Sequence, residues 1–127
     1  MTQPEHETLV TFASEADFDR AVLQEELPVF VDVSAPWCPP CRVAEGVVRD
    51  LARRHAGKLK VVAIDGSAYP ELAARLDVRG FPTFLGFVRG HMVERKLGFA
   101  GPRPLEELVQ TLLRSAGEAS AGAASAG

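Results

Sequence analysis

The stretch Ala35-Pro36-Trp37-Cys38-Pro39-Pro40-Cys41-Arg42-Val43 holds both cysteines of the chain and its only tryptophan. Two cysteines separated by two residues serve as half of a metal site, as a structural staple or as a redox pair. The residues on either side weigh these readings against one another. Upstream, residues 28–33 form a continuous apolar run broken only by Asp32, the pattern of a strand covered on both faces of a sheet. Downstream, residues 39–55 place Val43, Val47 and Leu51 at helical spacing, with Ala44, Val48 and Ala52 beside them. Charged residues fill much of the remaining surface, as on an amphipathic helix, and Gly57 ends it. The pair therefore sits at a strand-to-helix junction, with Cys38 at the helix N-terminus.

That placement carries chemistry. Free amide N–H groups and the positive end of the helix dipole favour an anion. The thiolate is the nucleophile and the good leaving group in disulfide exchange, so a lowered Cys38 pKa is expected there. Pro39 and Pro40 are tolerated in the first turn, where amide hydrogens have no intrahelical partner. They also remove two donors, which leaves the Cys41 amide as the expected partner of the Cys38 sulfur. One helical turn brings the two sulfurs within bonding reach. A structural zinc site needs four ligands, whereas this chain has one cysteine pair and three scattered histidines, His6, His55 and His91. Geometry and electrostatics favour the redox pair.

Composition narrows the function classes. The chain is 127 residues long, one domain by size, with 46% apolar and 24% charged residues, as in an ordinary soluble globular protein. Its net charge of −3 spreads fourteen basic residues among seventeen acidic ones, which gives no footprint for nucleic acid. The apolar runs are too short to span a bilayer. The first residues lack the basic start and apolar core of a secretory signal, so a cytoplasmic location is expected. In a reducing compartment a structural staple is improbable. A monomer is assumed, since the sequence gives no oligomeric signal.

Residues 1–8 are polar, and residues 115–127 are nearly all Ala, Gly and Ser, so both ends are expected to be disordered around a domain at residues 9–114. Within it, residues 9–12 read as a strand. Ser14 and Asp17 resemble a capping box that opens a helix through about Glu25. After the strand and helix around the cysteines come a buried-type strand at 59–64 and a short helix at 71–76. Strands at 81–88 and 92–97 form a hairpin across Arg89-Gly90-His91. A last helix at 104–113 sets Leu105, Leu108, Val109 and Leu112 on one side. The order βαβαβαββα predicts an α/β fold, a central mixed sheet with helices on both faces.

The run from Val31 to Cys41, the block Val78-Arg79-Gly80-Phe81-Pro82-Thr83 and the pair Leu97-Gly98 together resemble the thioredoxin family. The resemblance covers nearly all of residues 9–114 and implies a three-layer α/β/α sandwich. It implies Cys38 as the attacking thiolate and Cys41 as the resolving thiol, joined as a disulfide in the oxidised state; thioredoxin is itself a standard instance of a cysteine pKa lowered in such a motif. It implies a protein-disulfide reductase whose partners are client proteins and an NADPH-dependent flavoprotein thioredoxin reductase, with no cofactor on the chain itself. Asp32 matches the family's buried aspartate, a proton acceptor for Cys41; by its setting alone it reads either so or as a strand-end Asp bonded to backbone. Pro82 matches the family's cis-proline. Trp37, Gly80, Phe81, Pro82, Leu97 and Gly98 would form a groove for an extended partner segment, although Phe81 and Leu97 read equally as plain core residues. Arg42 reads as a solvated helix charge in preference to a cation that lowers a nearby thiol pKa.

Three positions depart from the family's common pattern: Pro39 stands where Gly is usual, Ser34 where an aromatic is usual, and Val61 near a position that often carries Lys. Without that cation the Asp32 pKa is expected above its ordinary value. Two alternatives accompany the reductase reading: a disulfide isomerase or oxidant on the same fold, and a non-catalytic client-binding module.

Overall fold

A computed structural model describes residues 9–126. Five strands, β1 (Val10–Phe12), β2 (Val29–Ser34), β3 (Lys60–Asp65), β4 (Thr83–Val88) and β5 (His91–Leu97), form one sheet in the order β1-β3-β2-β4-β5. β3 pairs in parallel with both β1 and β2, whereas β4 runs antiparallel to β2 and β5, so the sheet is mixed. The helical elements are α1 (Asp19–Leu23), α2 (Pro39–Arg54), α3 (Pro70–Arg75) and α4 (Pro102–Ala126).

The alternation of β2 assigns the layers. Val29, Val31 and Val33 face one core together with Phe18 and Val22 of the α1 segment and Leu72 of α3. Phe30 faces the other, with Ala44, Val48 and Leu51 of α2 and Leu105, Leu108 and Leu112 of α4. Both faces are covered, which explains why the central strands read as unbroken apolar runs. The three-layer α/β/α sandwich with its mixed sheet is the fold expected from the sequence.

Three local expectations change. The first helix is one π-helical turn: the Gln24 N–H donates to the Asp19 carbonyl across five residues at 2.9 Å. Asp17 does bond back to the Ser14 N–H, at 3.2 Å, but this closes a turn ahead of the helix. The segment ends against the β4–β5 turn, where Gly90 (φ +84°) lies so near that a Cβ would sit 2.9 Å from the Leu23 carbonyl oxygen. On α2 the buried stripe is Cys41, Ala44, Val48, Leu51 and Ala52, and Val43 is 66% exposed. The face is thus turned by one position from Val43-Val47-Leu51. Lastly, α4 continues to Ala126 rather than ending near Arg114 in a disordered tail. Alanine is the strongest helix former, and Ala116 still packs on the core beneath α4. Residues 1–8, expected to be disordered, lie outside the described residues, as does His6.

Candidate active site

Asp32 stands where strand alternation calls for an apolar side chain. It lies two residues after Phe30, on the α2 side of the sheet, with Phe84 of β4 and Ala63 of β3 as its register neighbours. Only 4% of its surface is exposed. Burial pushes its pKa up to about 6, the hydroxyl of Ser34 opposes that rise, and the negative Glu45 adds to it. The Ser34 hydroxyl donates to Asp32 Oδ1. The upward shift agrees with the expectation from the sequence. Val61 pairs with Phe30 and is fully buried in the core; the β3 residue beside Asp32 is Ala63. Neither residue brings a charge.

β2 ends at Ser34, and the chain turns through Ala35-Pro36-Trp37 into α2 with Cys38 as its N-cap. Cys38 has extended backbone angles (φ −100°, ψ 110°), so its side chain folds over the open end of the helix. The Cys41 N–H donates to Cys38 Sγ at 3.3 Å, the single amide the two prolines leave for it. Pro39 and Pro40 occupy the first turn and are exposed. Cys38 and Cys41 are bridged as a disulfide, with Cα atoms 5.3 Å apart. Both are nearly buried, packed with Ala35 and Phe81.

The front of the site assembles from three distant segments. The Phe81–Pro82 bond is cis, and Pro82 is buried at the foot of β4. The Trp37 ring meets Phe81 edge-on, with centroids 5.8 Å apart, yet 67% of Trp37 is exposed. Leu97, exposed at the end of β5, lies over Gly80: a Cβ on that glycine would be 3.5 Å from Leu97 Cδ1. The Gly98 N–H donates to the Pro82 carbonyl at 2.8 Å, and the Thr83 hydroxyl to the Gly80 carbonyl at 2.7 Å. Phe81 is half-buried and packs against both the core and the cysteines, whereas Leu97 is exposed. Arg42 is exposed on α2.

Behind the cysteines a cleft of about 210 Å³ opens, lined among others by Cys41, Asp32, Ser34, Glu45, Ala63 and Phe12. Sequence reasoning singled out Cys41, Asp32 and Ser34 but missed Glu45 and Phe12. Glu45 falls one helical turn after Cys41, a spacing that places both on one face. Phe12, 74% exposed at the end of the edge strand β1, carries no such signal. Among the described residues no group of three or more His, Cys, Asp or Glu is placed to hold a metal ion. No helix among them is long and apolar enough to cross a membrane.

A paired CxxC at a helix N-cap, packed against the Phe81 of a cis Phe81–Pro82 bond and sharing a cleft with a buried acid, defines the class of dithiol–disulfide proteins built on this mixed sheet. The thioredoxin family profile matches residues 9–114. A 99-residue match to Thioredoxin 1 of Nostoc is 36% identical and covers 78% of this chain and 90% of that protein. The match to a thioredoxin of Synechocystis is 40% identical, over 67% of this chain and 79% of the other. An M-type chloroplastic thioredoxin of Pisum sativum is 33% identical, over 80% and 59% respectively. The chain belongs to the thioredoxin family, and it is a thiol–disulfide oxidoreductase.

Proposed function

We propose that this protein reduces disulfides of client proteins in the cytoplasm, contributes there to electron transport and redox homeostasis, and is itself re-reduced by an NADPH-dependent thioredoxin reductase. The observation that carries the reading is Cys38 at the open end of α2, its sulfur accepting the Cys41 amide at 3.3 Å. In the reduced protein the same amide and the helix dipole stabilise a Cys38 thiolate.

An extended client segment lies along Trp37, Gly80, Phe81, Pro82, Leu97 and Gly98, and Cys38 Sγ attacks one sulfur of its disulfide. That S–S bond breaks, a mixed disulfide forms, and the client's other sulfur leaves as thiolate. Cys41 then gives its proton to Asp32, directly or through water in the cleft, and attacks Cys38 Sγ. The Cys38–client bond breaks, the Cys38–Cys41 bond forms, and the client leaves with two electrons gained. A buried carboxyl with a pKa of about 6 suits this transfer, since it is largely ionised at neutral pH yet basic enough to take a thiol proton.

Cys38→Ser is expected to abolish turnover of client disulfides, whereas Cys41→Ser should stall at a mixed disulfide on Cys38, seen by mass spectrometry. Equilibrium titration against glutathione, read by Trp37 fluorescence, separates the roles. A potential at or below the cytosolic poise supports a reductant, and one far above it marks an oxidant. If Cys38 alkylates at neutral pH no faster than free cysteine, the reading fails.

A further inference from the structure

We infer that Ser34 is a positioning residue for the second half of the exchange: its hydroxyl holds the Asp32 carboxylate in place to accept the Cys41 proton. The inference rests on the reading of Asp32 as that acceptor.

Three observations carry it. First, among the described residues Ser34 is the only side chain that donates to Asp32. The two lie on the same side of β2, two residues apart, so the hydroxyl is held by the strand itself. Second, Asp32, Ser34 and Cys41 line one cleft, and it is wide enough for water. With Ala63 beside Asp32 and Ser34 ahead of it, small side chains keep that space open. Third, no other group in the cleft can stabilise the carboxylate as Ser34 does. Glu45 on α2 repels it, and Arg49 turns toward Glu45 at 3.9 Å. Asp65 on β3 accepts from Ser67 and Ala68 of its own turn. The cleft side of β1 presents Val10 and Phe12, which carry no charge.

A hydroxyl donating to a carboxylate favours its ionised form. The bond therefore sets the pH above which Asp32 is free to take a proton. The step balances as follows: the Cys41 S–H bond breaks, the proton moves to Asp32, the Cys41–Cys38 bond forms and the client thiolate leaves. The Asp32 proton then passes to water in the cleft.

The test is single-turnover oxidation of the reduced full chain by excess synthetic peptide disulfide, followed by Trp37 fluorescence from pH 5 to 9. Ser34→Ala is expected to raise the midpoint of the resolution rate by about one pH unit, the size of one hydrogen bond to a charged group. At pH 6 that slows resolution about fivefold and at pH 8 scarcely at all. The Asp32 carboxyl resonance should move upward by the same amount, and Ser34→Thr should restore both. An unchanged midpoint in Ser34→Ala, or a Ser34→Thr variant that behaves like Ser34→Ala, overturns the inference while leaving the reductase reading intact. A wild-type protein that does not turn over the peptide disulfide overturns both.

Discussion

The two sides of β2 differ by one substitution of kind. On one side Val29, Val31 and Val33 run apolar from end to end, sealed by α1 and α3. On the other, Phe30 is followed by Asp32 and then Ser34, and the strand passes from core to chemistry within five residues. The backbone is the same and the burial is nearly the same. What changes is whether the side chain gains or loses by leaving water. Phe30 gains by burial, whereas an ionised Asp32 is destabilised by it. The active site is therefore a place where the core is deliberately weakened, next to a face where it is not.

Opposite responses two residues apart are the sharpest way to break this comparison. Phe30 is fully buried with its ring centroid 5.8 Å from that of Phe84. Phe30→Ala is expected to cost about 3–5 kcal/mol in denaturant unfolding. Asp32→Asn should act the other way. A carboxyl raised from an ordinary 3.8 to about 6 binds its proton more tightly in the folded state. Its stabilising effect is full below the unfolded value and is lost as pH rises through the folded one. At about 1.4 kcal/mol per pKa unit, the ionised group destabilises the fold by about 3 kcal/mol at neutral pH. The Asn variant should gain up to that amount at pH 8 and less than about 1 kcal/mol at pH 4, and should resolve mixed disulfides more slowly. A gain independent of pH would show that buried charge is not what weakens this face.

The same contrast explains what could be read from sequence. Elements with strong periodicity were legible: the valines of β2, the stripe of α4 and the strand-to-helix junction at Cys38 lie where expected. The Cys41-to-Cys38 contact followed from the prolines alone, because removing two amides leaves one. Register was not legible. A parallel pair carries no turn to count from, so only the folded sheet shows that Ala63 is the β3 residue beside Asp32. The rotation of α2 that exposes Val43 was hidden for a related reason: apolar residues at neighbouring positions fit two adjacent faces equally. The π-helical turn at Asp19–Leu23 ends against Gly90, some seventy residues away in the chain, a neighbour that local sequence does not reveal. The cleft as a whole was not legible, because its walls come from β1, β2, β3 and α2, which only the fold brings together.

A middle-sized effect is expected where the apolar side of the sheet meets the proposed client groove. Gly66, just beyond β3, leaves room for Phe81: a Cβ there would stand 2.5 Å from Phe81 Cε1 and 2.8 Å from Val33 Cγ1. Both contacts are closer than atoms tolerate, and Val33 is held in the core. Gly66→Ala must then displace the Phe81 ring, which itself rests against Trp37. A loss of about 1–3 kcal/mol in stability is expected from overpacking. The more telling readout is binding: Trp37 fluorescence should shift in the free protein, and affinity for a peptide client should fall. If stability drops while Trp37 emission and client affinity stay the same, Phe81 is not the link between core and groove.

The smallest effect belongs to the outward side of α2, which neither core nor chemistry constrains. Gly46 lies mid-helix and exposed, and nothing stands within 4 Å of where a Cβ would be. Glycine in a helix interior forfeits backbone entropy on folding without any compensating contact here, so Gly46→Ala should stabilise by about 0.5–1 kcal/mol. Its neighbour Glu45 faces the cleft, one turn from Cys41, so the helix between them must keep its pitch for the site to stay aligned. Stiffening that turn should leave disulfide turnover unchanged, because the ground-state helix already places both residues on one side. Slower turnover in a more stable Gly46→Ala protein would instead mean that α2 bends at Gly46 during exchange, and that the weakened side of the molecule includes its backbone as well as Asp32.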